Sequence, residues 1–379
     1  MIPFLEIFVH GKLDYFSYLL YNVLIMSERV EIGINEWRDL SSDELGFTGT
    51  QLKTEEHRYV AENGQAFNVF IADARPDGVG PTYLTSASFD YRMDTLLKRG
   101  TSILATQSGS RVAISEVPGI TYDYDNPFHS KGAWQTPRQS LTAFTGNFDS
   151  LSLMQLEAFD KYLKFQDGDE IQVGGRSLAA YMAASMLRNL AQHKFPKRLK
   201  VSRADFVEPV NAFGNHSLAR QWKILGELAS YEERMRTEVY IPENEQIGHT
   251  TPRFEDESEL NDRILKHVRR TQFAATYLTG AGLRKGIDHS LVRAMADRTN
   301  DGIGLHDADI TFARGDASHV SFEKDLVAAR EEVRRVGSDA KIITLTDESS
   351  SDVPLAHHAL DSLGRIASYA QQRNTNFSA

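Results

Sequence analysis

The stretch Ile171-Gln-Val-Gly-Gly-Arg-Ser177-Leu-Ala-Ala-Tyr-Met-Ala183 decides how the rest of the chain is read. The residues Glu170 to Gly174 predict a short strand that runs straight into a turn at Ser177. Behind the turn, Leu178 to Gln192 (LAAYMAASMLRNLAQ) is apolar on most faces and predicts a buried helix. A serine on so sharp a strand-to-helix turn has its hydroxyl pushed out above the sheet. The strained turn leaves room only for small residues two places before and two places after it. Gly175 and Ala179 occupy those places, and Ala180 lets the helix sit close to the sheet. The start of the helix presents the Leu178 amide, aided by the helix dipole, to a developing oxyanion. Serine also favours helix N-caps, so a five-residue match alone says little. The weight comes from its place between a strand and a long apolar helix. Asn215-His216-Ser217-Leu218-Ala219 looks similar, but Asn215 stands where a small residue is needed and no strand leads into it.

Outward from this turn, short apolar runs alternate with helical spacing, the rhythm of a doubly wound, mostly parallel α/β sheet. Upstream, Ala66 to Ala72 reads as a buried strand, and Asp73 to Thr82 as a loop carrying Pro76, Gly78, Gly80 and Pro81. Phe89 to Lys98 reads as a helix stopped by Gly100. Arg111 to Val117 is a strand, followed by a loop rich in aromatics and prolines and a helix from Leu151 to Lys164. Downstream, Leu199 to Val210 is a strand. From Asn211 to about Asn300 the pattern turns charged and helical, and the alternation then resumes with the strand Ala308 to Ala313, a helix over Phe322 to Val336, the strand Lys341 to Thr346 and a last helix from His358. The reading is therefore a core over 65–210 and 301–379, an inserted helical cap over 211–300 placed above the strand ends, and an N-terminal packing segment over 1–64.

Composition narrows the function. The net charge of -10 argues against nucleic acid, which basic surfaces bind. The basic cluster Lys194 to Arg203 reads as the solvated approach to a strand. The absence of cysteine excludes disulfides, thiolate metal sites and cysteine nucleophiles, and it fits a reducing, cytoplasmic setting. Glu6, His10, Lys12 and Asp14 interrupt the apolar N-terminus, so no run approaches the roughly 20 residues of a membrane span. That segment is either an amphipathic element packed on the body or leader sequence ahead of Met26. Gly78, Gly80 and Thr82 lack the lysine of a phosphate loop. His57 with Glu55 and Glu56, and Asp301 with His306 and Asp307, lack metal-ligand spacing, so no metal and no cofactor is expected.

The pattern Val-Gly-Gly-Arg-Ser-Leu-Ala-Ala resembles the α/β-hydrolase superfamily, over roughly Ala66 to Tyr369. The resemblance implies the chain order nucleophile, acid, histidine. A hydroxyl needs a base to take its proton, and the base needs a carboxylate to orient it. By position, Asp316, in Arg314-Gly315-Asp316 after the strand Ala308 to Ala313, is the expected acid, with Glu208 and Asp347 as rivals. His358 is the expected base with His357 as the alternate, both in the loop before the terminal helix; His319 is a lesser candidate. In place of the family's His-Gly after the third strand stands Ala72-Asp73-Ala74-Arg75-Pro76-Asp77-Gly78, and Asp77 or Gly78 is the expected second oxyanion donor. The implied activity is hydrolysis of a small ester or amide, a carboxylic ester by preference, through a Ser-His-Asp triad. The alternatives are an inactive binding or scaffold protein, or an acyltransferase or lyase on the same fold.

Overall fold

The computed structural model describes residues 51–87, 95–118, 136–176, 179–207, 209, 309–315 and 341–347, with isolated positions between 327 and 335. Eight strands form one sheet in the order β1-β2-β4-β3-β5-β6-β7-β8. They are β1 (Lys53–Val60), β2 (Ala66–Asp73), β3 (Thr82–Ser86), β4 (Arg111–Ser115), β5 (Glu170–Arg176), β6 (Lys200–Val207), β7 (Asp309–Gly315) and β8 (Lys341–Asp347). β2 pairs antiparallel with both its neighbours, and every pairing from β4 across to β8 is parallel, so β2 alone runs against the rest. The mostly parallel α/β sheet expected from the sequence is present.

Four helices are described: α1 (Thr95–Ser108), α2 (Pro137–Phe144), α3 (Asp149–Leu163) and α4 (Ala179–Ala191). They divide between the two faces of the sheet. Phe67, Val69, Ile71, Leu84, Ala113, Ile171 and Val173 pack with Leu156 and Phe159 of α3 and with Met182 and Met186 of α4. On the other face, Phe70, Ala72, Tyr83, Val112 and Ile114 pack with Leu104 and Ala105 of α1. Alternate residues of each strand thus feed two cores, as the two-residue period of a strand requires. Two ion pairs and an amide tie the amino end of α3 to the far end of α4. Asp149 meets both Arg188 and Lys194, and Asn189 Nδ2 donates to the Asp149 carbonyl at 2.9 Å.

Four expectations are corrected. The sheet reaches into the segment read as an N-terminal extension, because β1 pairs with β2 along its whole length from Lys53 to Val60. The loop read over Asp73 to Thr82 holds a single 3-10 turn, Pro76–Gly78, and ends on a strand, β3, that was not foreseen. Gly100 lies inside α1 rather than ending it; Gly109, at φ +56°, follows its last residue. A glycine in the left-handed region is the usual end of a helix, and Gly109 supplies it. The aromatic loop before α3 contains α2, begun by a capping box between Thr136 and Gln139 with Pro137 in the first turn. The cap over 211–300 and the terminal helix from His358 lie outside the described residues.

Candidate active site

Strand order locates the site before any side chain is considered. β3 and β5 are neighbours, yet β3 leads through α1 on one face to β4, and β5 leads into α4 on the opposite face. Chain connections that diverge in this way leave a crevice beyond the carboxyl ends of the two strands, which is where open α/β sheets bind ligands. β5 ends at Arg176 and α4 begins at Ala179, with Ser177 and Leu178 between them in the chain.

The turn is as tight as the sequence requires. A methyl group on Gly175 would lie 2.3 Å from the Ala179 carbonyl oxygen and 2.7 Å from the Ala180 nitrogen, well inside van der Waals contact. Glycine is therefore obligatory two places before Ser177, and the backbone of α4 passes directly over it. Gly174 faces the other way. A methyl there would run into the Tyr83 hydroxyl, 1.7 Å away, and approach the Asp205 carbonyl at 3.0 Å. Below the turn, on the α1 side, sit three buried polar residues: Tyr83, Arg203 and Asp205. Arg203 Nε lies 2.7 Å from Asp205 Oδ2. Burial pushes the Tyr83 phenol well above its usual value; Asp205 adds to the shift and Arg203 opposes it. Tyr83 is thus a neutral hydroxyl at physiological pH and fills the space that Gly174 leaves.

Ser177, Leu178, Asp316, His357 and His358 lie outside the described residues, as do Glu208 and His319. The strands that lead to them are described. β5, β6 and β7 run side by side and parallel, with Arg176 paired to Val207 and Val207 to Ala313. Gly315, the residue before Asp316, therefore ends its strand on the same edge of the sheet as Arg176, two strands across or about 10 Å. Two hydrogen bonds of about 3 Å with an imidazole between them span a similar distance. β8, parallel to β7, also finishes on this edge at Asp347.

Gly78 is on the wrong edge, and its expected role is corrected. The loop it occupies joins the end of β2 to the start of β3, and β2 runs against the other strands. Thr82 pairs with Ile171, so this loop lies near the amino end of β5, roughly 20 Å from its carboxyl end. An oxyanion donor has to come within about 3 Å, so neither Gly78 nor Asp77 qualifies. The segment that leaves β3 on the correct edge starts at Ser86-Ala87. It was missed because β3 was missed, although Tyr83-Leu84-Thr85 between Pro81 and Ser86 carries a usable signal of aromatic and β-branched residues. The amino edge does hold a cleft of about 510 Å³, lined by Arg75, Thr82, Arg111, Asp169, Glu170 and Gln172. It faces away from the turn at Ser177. Among the described residues no group of histidines and carboxylates is placed to hold a metal, and no helix is long and apolar enough to cross a membrane.

No family model matches the chain, and no curated protein does. Among solved structures, a carboxyl esterase from the mycorrhizal fungus Tuber melanosporum is similar at 10% identity and TM-score 0.46, over 86% of this chain and 87% of that one. A hyperthermophilic esterase from the archaeon Pyrobaculum calidifontis is similar at 9% identity and TM-score 0.45, over 88% and 90%. A thermostable esterase from Pseudomonas putida is similar at 12% identity and TM-score 0.44, over 94% of each chain.

Proposed function

We propose that the chain is a serine hydrolase of the α/β-hydrolase type that cleaves a small carboxylic ester. The observation that carries this reading is the turn at the β3–β5 crevice, where the Gly175 hydrogen is all that fits under the α4 backbone. So tight a strand-to-helix link at a ligand crevice is the setting that exposes a serine hydroxyl above a sheet. In this reading Ser177 Oγ attacks the ester carbonyl carbon as His358, or His357 beside it, takes the hydroxyl proton, and Asp316 orients the imidazole. The carbonyl oxygen becomes an oxyanion held by the Leu178 amide and by a second amide from the segment after β3. Collapse breaks the ester C–O bond, and the imidazolium returns the proton to the departing alcohol. Water, deprotonated by the same imidazole, then attacks the acyl-enzyme and releases the acid and Ser177. No metal or cofactor enters this cycle.

A fluorophosphonate probe tests the proposal. It should label the wild type at Ser177, found by peptide mapping, and spare Ser177→Ala; equal labelling of both proteins sinks it. Asp316→Asn and His358→Ala should each lower kcat by roughly three orders of magnitude or more, because such groups act as a unit. A folded wild type that neither reacts with the probe nor hydrolyses any of a panel of p-nitrophenyl esters would favour a binding protein on this fold.

A further inference from the structure

The cleft of about 510 Å³ at the amino edge of the sheet has the size of an ordinary small-molecule site. Three parallel strands begin there side by side. Thr82 of β3 pairs with Arg111 of β4 on one flank and with Ile171 of β5 on the other. Arg111 and Glu170, the residue before Ile171, therefore line opposite walls, with backbones two strands or about 10 Å apart. One wall is cationic and the other anionic.

The cationic wall carries a charge that nothing around it answers. Asp73 is taken by Arg75, whose Nε and Nη2 donate to it at 2.9 and 2.7 Å and whose amide donates at 3.1 Å. Arg111 donates through Nε at 3.2 Å and Nη2 at 2.9 Å to one neutral acceptor, the Thr82 hydroxyl. Those two nitrogens form the side-on fork of the guanidinium. Its end-on fork, Nη1 with the second hydrogen of Nη2, has no acceptor among the described residues, and no carboxylate among them pairs with Arg111. Burial, and after it the charge of Arg75, pull the Arg111 pKa below its usual value against the opposing charges of Asp73, Asp169 and Glu55. An anion seated on the open fork relieves that deficit.

The facing wall limits which anion can enter. Asp169 Oδ2 accepts from the Gln166 amide at 2.8 Å, and its Oδ1 accepts nothing among the described residues. Glu170 faces Lys200 at 3.7 Å, a pair about half exposed and so worth little. Two carboxylates across the cleft repel a second negative charge, which disfavours phosphate and dicarboxylates. They attract a cationic group carried by the same ligand.

We propose that this cleft binds a small zwitterion of the amino-acid type: its carboxylate takes the end-on fork of Arg111, and its ammonium group faces Asp169 and Glu170. A planar guanidinium fork matches a carboxylate through two parallel hydrogen bonds, which a lysine could not supply. The site shares no residue with the hydrolase reading above and stands or falls independently of it.

Isothermal titration calorimetry on the full chain tests the proposal, with glycine, 4-aminobutanoate and 6-aminohexanoate as probes that differ in the distance between their charges. At least one should bind with a Kd of about 1 mM or tighter, at least tenfold tighter than acetate, butylammonium or inorganic phosphate. Arg111→Met should weaken that probe about tenfold or more, and Arg111→Lys, which keeps the charge without the fork, should weaken it by less. Asp169→Asn with Glu170→Gln, both on the exposed wall, should weaken the amino acid about tenfold and leave acetate as tight or tighter. That crossed response is one that mere loss of structure would not produce, and it decides the matter even where Arg111→Met does not fold. No heat from any of the three amino acids at 10 mM overturns the proposal. So does acetate or phosphate binding as tightly as the amino acid, which would make the cleft a plain anion site, or an amino-acid Kd that the variants of both walls leave unchanged.

Discussion

Gly175 is where a single hydrogen atom decides between a formed turn and a broken one. Any side chain there meets the backbone of α4, which has no rotamer to yield, so Gly175→Ala has to displace the helix or the strand. Overpacking of this kind costs about 1–3 kcal/mol. We expect urea unfolding to show a loss in that range, and probe labelling at Ser177 to fall more steeply than the folded fraction does. Asp73 illustrates a different kind of control, by charge. Burial disfavours its charged form, but hydrogen bonds from the Arg75 side chain and amide, with the charges of Arg75 and Arg111, outweigh that and lower its pKa. Arg75 Nη2 lies 2.7 Å from Asp73 Oδ2. A group with a depressed folded-state pKa adds stability above its unfolded value, and that contribution drains away as pH falls through the folded value. Because the pair is partly solvated, its worth is on the order of 1 kcal/mol or less. Asp73→Asn should therefore be slightly less stable than wild type at pH 7, with the gap closing in urea titrations as pH falls below the ordinary carboxylate range. A gap that persists in acid would show that Asp73 acts through its shape rather than its charge.

At the scale of elements, the capping box that starts α2 makes a sharper prediction than its eight residues suggest. Gln139 Oε1 accepts from the Thr136 amide at 2.8 Å and from Gln65 Nε2 at 2.9 Å, so one side chain both caps α2 and anchors it to the β1–β2 hairpin. Thr136→Ala should cost about 0.5–2 kcal/mol. Gln139→Ala should cost more, since it breaks the cap and the anchor together; equal losses would mean the link to Gln65 contributes nothing. This helix was hidden in the sequence by its neighbourhood of aromatics and prolines, although Thr-Pro-Arg-Gln at 136–139 carries the cap in plain form. The strands that sequence reading recovered, β2 and β4 to β8, are apolar runs bounded by turn residues. The two it missed break that pattern for opposite reasons. β1 sits at the sheet edge and half of its eight residues are charged, which protects an edge from pairing with other chains. β3 is buried at every position and so shows no alternation, and it is short and joined to a loop rich in glycine and proline. Missing β3 moved the expected oxyanion donor to Gly78, because the loop after β2 was taken for the loop after the third strand. Local pattern located the tight link between β5 and α4; pairing across the sheet, which no local pattern carries, was needed to find which loop leaves β3 on the same edge.

At the scale of the whole molecule, the sheet offers two edges where chemistry could take place. The two edges differ in kind. The amino edge carries a charged cleft whose arginines are already engaged, Arg75 by Asp73 and Arg111 by the Thr82 hydroxyl at 2.9 Å. The carboxyl edge carries the divergence of β3 and β5, the turn under α4, and the ends of β7 and β8. Such crevices form only where neighbouring strands send their connections to opposite faces, and among the described strands that condition is met between β3 and β5. The absence of cysteine makes this testable in the intact chain, because one introduced thiol is the only one present. Val79 is highly exposed in the loop at the amino edge. Val79→Cys, coupled to a bulky maleimide, should therefore keep kcat/KM for p-nitrophenyl acetate and the probe-labelling rate within about twofold of the uncoupled protein, since roughly 20 Å of sheet separates the label from the turn. A loss of tenfold or more on coupling would place the reaction at the amino-edge cleft, and the turn at Ser177 would then be only the start of a buried helix.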